Sequence, residues 1–295
     1  MIAYPIREKL PAYISLTRLN SPIGIYLLLW PTLWALWFAA GGVPDLDVLI
    51  IFVLGTVLTR SAGCAINDFA DRKLDAHVAR TSARPLAVGT LSAKEAVAAA
   101  AVLMLLAFGL VLLTNRLTIL MSFVALALAT VYPFTKRVTH WPQAFLGLAF
   151  ASAIPMAFAA QTNTVPPLAW ALFSAAVIMA IAYDTIYAIA DREFDIKMGM
   201  KSTAILFGDK ELVVVFCLQI MVLTILFFIG QAADRGMVFN TSLVLSIGFC
   251  VYQNRICQTR EPKQCVKAFL NNHYLGLTIF AGLVLDYLIY PGHSV

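Results

Sequence analysis

Apolar runs, each about the length of a bilayer crossing, alternate along this chain with short polar clusters. A hydrocarbon core of ~30 Å takes about 20 apolar residues per helical crossing, and only helices or closed barrels satisfy their backbone there. The pattern predicts spans near 20–41, 47–69, 95–114, 118–135, 141–160, 167–189, 212–231, 238–256 and 271–290. Residues 138–183 hold no Asp, Glu, Lys or Arg, too long a stretch for one span. Gln161–Pro167 (Q-T-N-T-V-P-P) supplies the turn between two. The expected fold is all-α and polytopic: about nine transmembrane helices around a central cavity, with residues 1–295 as one integral membrane domain.

Composition agrees. The chain is 61% hydrophobic and 13% charged, with a mean hydropathy of +0.83, outside the range of soluble domains. Its 21 Lys and Arg are unevenly placed. They cluster before the first span and after the second, fourth, sixth and eighth, whereas the alternate loops hold only Arg116 and Arg235. The positive-inside rule then puts the N-terminus and the basic loops in the cytoplasm. The net charge of +5 is this asymmetry and gives no reason to expect nucleic acid. Residues 1–19 are too polar for the apolar core of a cleavable signal. Five Cys without a C-x-x-C pair and four scattered His support neither structural zinc, c-type haem nor a disulfide framework. The aromatics of the first span (Tyr26, Trp30, Trp34, Trp37, Phe38) are expected mostly at lipid or in an interfacial belt.

Two polar segments break this pattern. N-D-F-A-D-R-K-L-D at Asn67–Asp75 ends the second span, and A-D-R-E-F-D at Ala190–Asp195 follows A-D-R-K-L-D at Ala70–Asp75 by 120 positions. Residues four apart share a helix face. Asn67, Asp71 and Asp75 thus form one column; Asp184, Tyr187, Asp191 and Asp195 form another, with Asp68 at the edge of the first. Carboxylates at a helix C-terminus oppose the helix dipole and raise one another's pKa values. A divalent cation relieves both, and all-oxygen ligation suits Mg²⁺. The candidate metal ligands are Asn67, Asp68, Asp71, Asp75, Asp191 and Asp195.

Each column leads into a basic loop closed by a glycine: Arg72, Arg80 and Arg84 before Gly89, Lys197 and Lys201 before Gly208. This reads as an internal repeat about a pseudo-two-fold axis, its bases placed to hold a diphosphate, although positive-inside bias alone also puts bases there. Arg60 lies on the stripe of Asn67 and Asp71, and a buried Arg needs an anion. Arg18, beside Asn20, could serve likewise or snorkel to the interface. Lys136 and Arg137 follow the fourth span and would face the clamp. Intramembrane Asp on repeated helices also fits a cation-coupled carrier.

N-D-x-x-D-x-x-x-D at Asn67–Asp75 with D-x-x-x-D at Asp191–Asp195 resembles the UbiA superfamily of intramembrane aromatic prenyltransferases, and the likeness covers essentially the whole chain. Leu16–Leu36 and the R-x-x-x-R-P-L loop at Arg80–Leu86 are most like its bacterial members that prenylate 4-hydroxybenzoate. The resemblance implies transfer of a polyprenyl group from polyprenyl diphosphate to the acceptor ring, ortho to its hydroxyl, in ubiquinone biosynthesis at the bacterial inner membrane, with the prenyl tail towards membrane lipid. Asp71, Asp75, Asp191, Asp195 and Arg137 would act in catalysis through Mg²⁺ and the diphosphate. Arg18, Asn20, Arg60, Arg72, Arg80, Arg84, Lys136, Tyr187, Lys197 and Lys201 would bind substrates, with Arg60 or Arg18 anchoring the acceptor carboxylate. Other members take a naphthoate, homogentisate or haem, and spacing does not separate these.

Overall fold

The structure, a computed structural model, describes residues 6–75 and 81–290, with side chains over 9–72 and 81–290. Among these residues there are helices and no strand: α1 (Ile6–Leu16), α2 (Ile23–Ala40), α3 (Leu46–Asp75), α4 (Ala93–Val111), α5 (Arg116–Thr135), α6 (Pro142–Ala151), α7 (Ala153–Thr162), α8 (Pro167–Lys197), α9 (Thr203–Phe207), α10 (Glu211–Ala232), α11 (Met237–Cys257) and α12 (Pro262–Ile289). Among the described residues, eight segments are long and apolar enough to cross a membrane, with α6 and α7 together making one. The expected ninth, α11, is a 21-residue helix diluted by Asn240, Gln253, Asn254 and Arg255.

Local chemistry sets several ends. Ser92 and Glu95 form a reciprocal capping box that starts α4, and the Asn115 side chain accepts from the Thr118 N–H at 2.9 Å to start α5. The expected single span at 141–160 is instead broken at Ser152. Pro155 explains the break, since its ring excludes the carbonyl four residues back, that of Ala151. Helices α3 and α8 run on well past the apolar stretch, so both Asp motifs are helical.

The chain packs as two compact units, Met1–Leu28 with Ile50–Leu113, and Leu29–Leu49 with Thr114–Val295. In the first, Leu16, Ala62, Ala65, Leu91, Ala96 and Ala100 bring α1, α3 and α4 together, and Lys9 pairs with Glu95 at 2.6 Å. In the second, small residues permit close helix contact, the usual device where lipid removes the hydrophobic driving force. A Cβ on Gly147 would lie 2.9 Å from the Val177 carbonyl oxygen, and one on Gly282 2.2 Å from Ser242 Cβ. Side-chain amides bolt three helices: Gln219 donates to Gln253 at 2.6 Å, and Gln253 to Asn271 at 3.0 Å. The aromatics of α2 are not a lipid belt. Trp34 is fully buried and donates to the Gly276 carbonyl at 3.3 Å, while Trp30 donates to His273 Nδ1 at 3.0 Å. Four of the five cysteines are buried and Cys217 is exposed.

Candidate active site

In the first unit, the polar stripe of α3 begins at Arg60. Its Nη1 donates to Cys64 Sγ at 2.8 Å, one turn on. Asn67 and Asp71 continue the stripe, both half-buried. Asp75 closes the helix, but its side chain and all of Arg80 lie outside the described residues. Asp68 is engaged differently from the metal ligation expected of it. It is 1% exposed, and its Oδ1 accepts from Arg18 Nη2 at 2.7 Å and pairs with Arg84 Nη1 at 3.0 Å. The carboxylate thereby ties the end of α1 and the loop before α4 to α3. Arg18, with a φ of +58°, also donates to the Ser15 carbonyl at 2.6 Å. Arg72 folds back on its own helix, donating to the Phe69 carbonyl at 2.5 Å with its guanidinium over the Phe69 ring. Asn20 is exposed.

In the second unit, Asp184, Tyr187 and Asp191 form a half-open polar stripe along α8, while Tyr183, Thr185, Ile186, Ala188 and Ile189 around it are buried. Between Tyr183 and Ile189, where the rest of the helix is buried, Asp184 and Tyr187 thus stay partly accessible. Asp195 ends the stripe, buried, and its carbonyl accepts from Met200 N at 2.8 Å. Tyr187 rests on Phe269 with ring centroids 4.8 Å apart. The loops after α5 and α8 join here: Lys201 N donates to the Lys136 carbonyl at 2.9 Å, and Lys201 Nζ to that of Val138 at 3.1 Å. Lys136 is thereby set in the field of the stripe. Burial works against its charge, but Tyr132, Asp184, Asp195 and Asp191 together hold the ammonium above the usual lysine value. Its neighbour Arg137 and the later Lys197 are exposed.

Glu211, at the start of α10, was not expected. It is fully buried, receives Arg260 Nε at 2.6 Å, and lies 3.9 Å from Arg192, which sits between Asp191 and Asp195 in the chain. Arg260 also donates to the Asp209 carbonyl at 3.1 Å. The hydrogen bond and charge of Glu211 raise the guanidinium pKa further. This network braces the end of α8 against two loops. A lone Glu opening an apolar run was the only signal in the sequence.

Among the described residues no three His, Cys, Asp or Glu side chains converge as a ready metal cage. Mg²⁺ sites of the substrate-assisted kind need none: one or two carboxylates hold the ion and phosphate oxygens and water complete it. The accessible Asp184–Asp191 stripe, an all-oxygen donor set beside a charged lysine, fits that ion.

Comparisons with known proteins identify the family and the fold. The UbiA prenyltransferase family matches residues 28–281. A 4-hydroxybenzoate octaprenyltransferase of Saccharophagus degradans is 54% identical over 285 residues, covering 97% of this chain and 95% of the relative. One of Nitrosomonas eutropha is 55% identical, covering 96% and 99%. Among solved structures, a UbiA homolog from Aeropyrum pernix K1 superposes with a TM-score of 0.78 at 26% identity, over 89% of this chain and 97% of that one. A UbiA homolog from Archaeoglobus fulgidus bound to GPP and Mg²⁺ gives 0.71 at 20% identity, over 93% and 99%. With the family match spanning most of the chain, and with relatives more than half identical over nearly their whole length, this chain belongs to the UbiA prenyltransferase family.

Proposed function

We propose that this multi-pass membrane protein transfers a polyprenyl group from polyprenyl diphosphate to 4-hydroxybenzoate, ortho to the hydroxyl, with Mg²⁺, as a step of ubiquinone biosynthesis. The observation that carries the reading is the half-open Asp184–Tyr187–Asp191 stripe of α8 facing Lys136, in a chain over half identical to enzymes named for that transfer. The α3 motif repeats the same chemistry.

In this reading Asn67, Asp71 and Asp75 are the metal-ligating residues of α3, and Asp191 and Asp195 those of α8. Bound Mg²⁺ supplies Lewis-acid neutralisation of the leaving diphosphate. Lys136, Arg80, Arg137 and Lys201 share that charge from the loops, and Arg72 and Lys197 from the ends of α3 and α8. The allylic C–O bond breaks with its electron pair leaving on the diphosphate. The ring π electrons of the acceptor then form the new C–C bond, and the displaced ring proton departs with help from Asp191. Packed helices keep water from capturing the cation first. Asp68 serves by ordering Arg18 and Arg84 rather than by binding the metal. Since Arg18 is committed to Asp68, Arg60 is the better anchor for the acceptor carboxylate. The skewed Lys and Arg distribution supports a bacterial inner-membrane location with the N-terminus and motif loops cytoplasmic.

The test is incubation of membranes carrying the protein with Mg²⁺, labelled prenyl diphosphate and 4-hydroxybenzoate. Prenylated acid is expected from the wild type, falling on the order of 100-fold or more in Asp71→Asn and Asp191→Asn, since the metal is worth several kcal/mol. Undiminished product in both variants would remove the assignment.

A further inference from the structure

The Nε–Nη2 edge of the Arg60 guanidinium fills the space where a Cβ on Gly24 of α2 would stand. A Cβ there would stand 2.6 Å from Nε, 2.6 Å from Nη2 and 2.9 Å from Cζ. No side chain other than hydrogen leaves Arg60 where it is. On its other side, Nη1 donates to the buried Cys64 Sγ at 2.8 Å. Gly24, on another helix, and Cys64, one turn along α3, thus bound the place of a flexible side chain. Arg60 is also well placed along α3: at 1.5 Å per residue it stands about 10 Å before Asn67 and about 16 Å before Asp71 on the same stripe. That separation leaves room for one aromatic ring between a carboxylate on Arg60 and a diphosphate at the aspartates.

We propose that Gly24 and Cys64 form a seat that orients Arg60 to receive the carboxylate of an aromatic acid, making Gly24 a specificity-determining position. This rests on the acceptor assigned above. The seat acts on binding and not on the reacting atoms, so Gly24 and Cys64 are positioning residues. The atoms that an added methyl meets are the far end of a flexible side chain, so Gly24→Ala moves the guanidinium without breaking the backbone packing of α2.

The experiment is steady-state kinetics of the purified full chain with Mg²⁺, varying 4-hydroxybenzoate and prenyl diphosphate in turn. Gly24→Ala is expected to raise KM for 4-hydroxybenzoate on the order of 10-fold or more, the worth of one charge-assisted hydrogen bond. KM for the diphosphate should stay at its wild-type value and so reports that the fold is intact. Cys64→Val is expected to raise the acceptor KM in the same selective way, and Cys64→Ser, which restores an acceptor atom, to bring it back. An acceptor KM within about twofold of wild type in Gly24→Ala, or equal rises in both KM values, overturns the seat. Failure of the wild type itself to prenylate 4-hydroxybenzoate would instead overturn the acceptor assignment, and the seat with it.

Discussion

Replacing Asp68 by Asn separates two roles that its place in the N-D-x-x-D segment leaves confounded. The side chain is 1% exposed, and one oxygen meets Arg18 at 2.7 Å and Arg84 at 3.0 Å. At an effective dielectric of ~20, a charge pair about 4 Å apart is worth ~4 kcal/mol of attraction, much of it offset by desolvating the carboxylate. Asparagine keeps the shape and a carbonyl acceptor, so the variant loses charge and not packing. The guanidiniums retain partial access to water, with side chains 26% and 24% exposed. The cost therefore falls below the ~3–5 kcal/mol of stranding a wholly buried charge and above the ~0–1 kcal/mol of a surface pair. We expect about 2 kcal/mol. Thermal unfolding in detergent without Mg²⁺ should show the loss, and hydrogen–deuterium exchange should rise selectively over Thr81–Leu91. An unchanged unfolding temperature together with a higher Mg²⁺ requirement for activity would refute the argument and return Asp68 to the metal.

Three further outcomes are expected. Glu211→Gln removes the charge that Arg260 and Arg192 share; unfolding stability should drop by about 1–3 kcal/mol and kcat by several-fold, whereas unchanged kcat would detach this network from the site. Gly147→Ala forces α6 off the Val177 carbonyl and should cost about 1–3 kcal/mol of stability with both KM values unmoved, read by parallel melting and kinetics. The raised pKa of Lys136 means that its charge is favoured in the folded protein, fully present below the ordinary value of 10.5 and lost only as pH climbs through the higher folded value. The pH–rate profile should thus show no basic limb from Lys136 up to that ordinary value, and a limb below it that vanishes in Lys136→Arg would contradict this.

Most expected spans match single helices in the structure, the stretch at 141–160 excepted, because apolar length and 3.6-residue spacing are local properties. The same spacing put Asp184, Tyr187 and Asp191 on one line before any packing was known. What spacing missed were the partners. The resemblance put Arg137 in catalysis and Lys136 in substrate binding, yet it is Lys136 whose charge the aspartates of α8 favour, while Arg137 is exposed. The Trp34 indole reads as a lipid contact until α12 supplies the Gly276 carbonyl. Asp286 is absent from any motif, yet it is buried and accepts from Gly236 N and Phe239 N at 2.9 and 3.0 Å to start α11.

By itself, then, the order of residues determined the rough extent of most crossings, the two acidic helix faces and the basic loops after them, since each depends on neighbours within a turn or two. Tertiary structure decided which cation meets which carboxylate. Arg18 and Asp68 are 50 positions apart, and Glu211 and Arg260 are 49 apart. Such pairs exist only once helices have packed, because ion pairing and the exclusion of water around it act across space and leave no period along the chain.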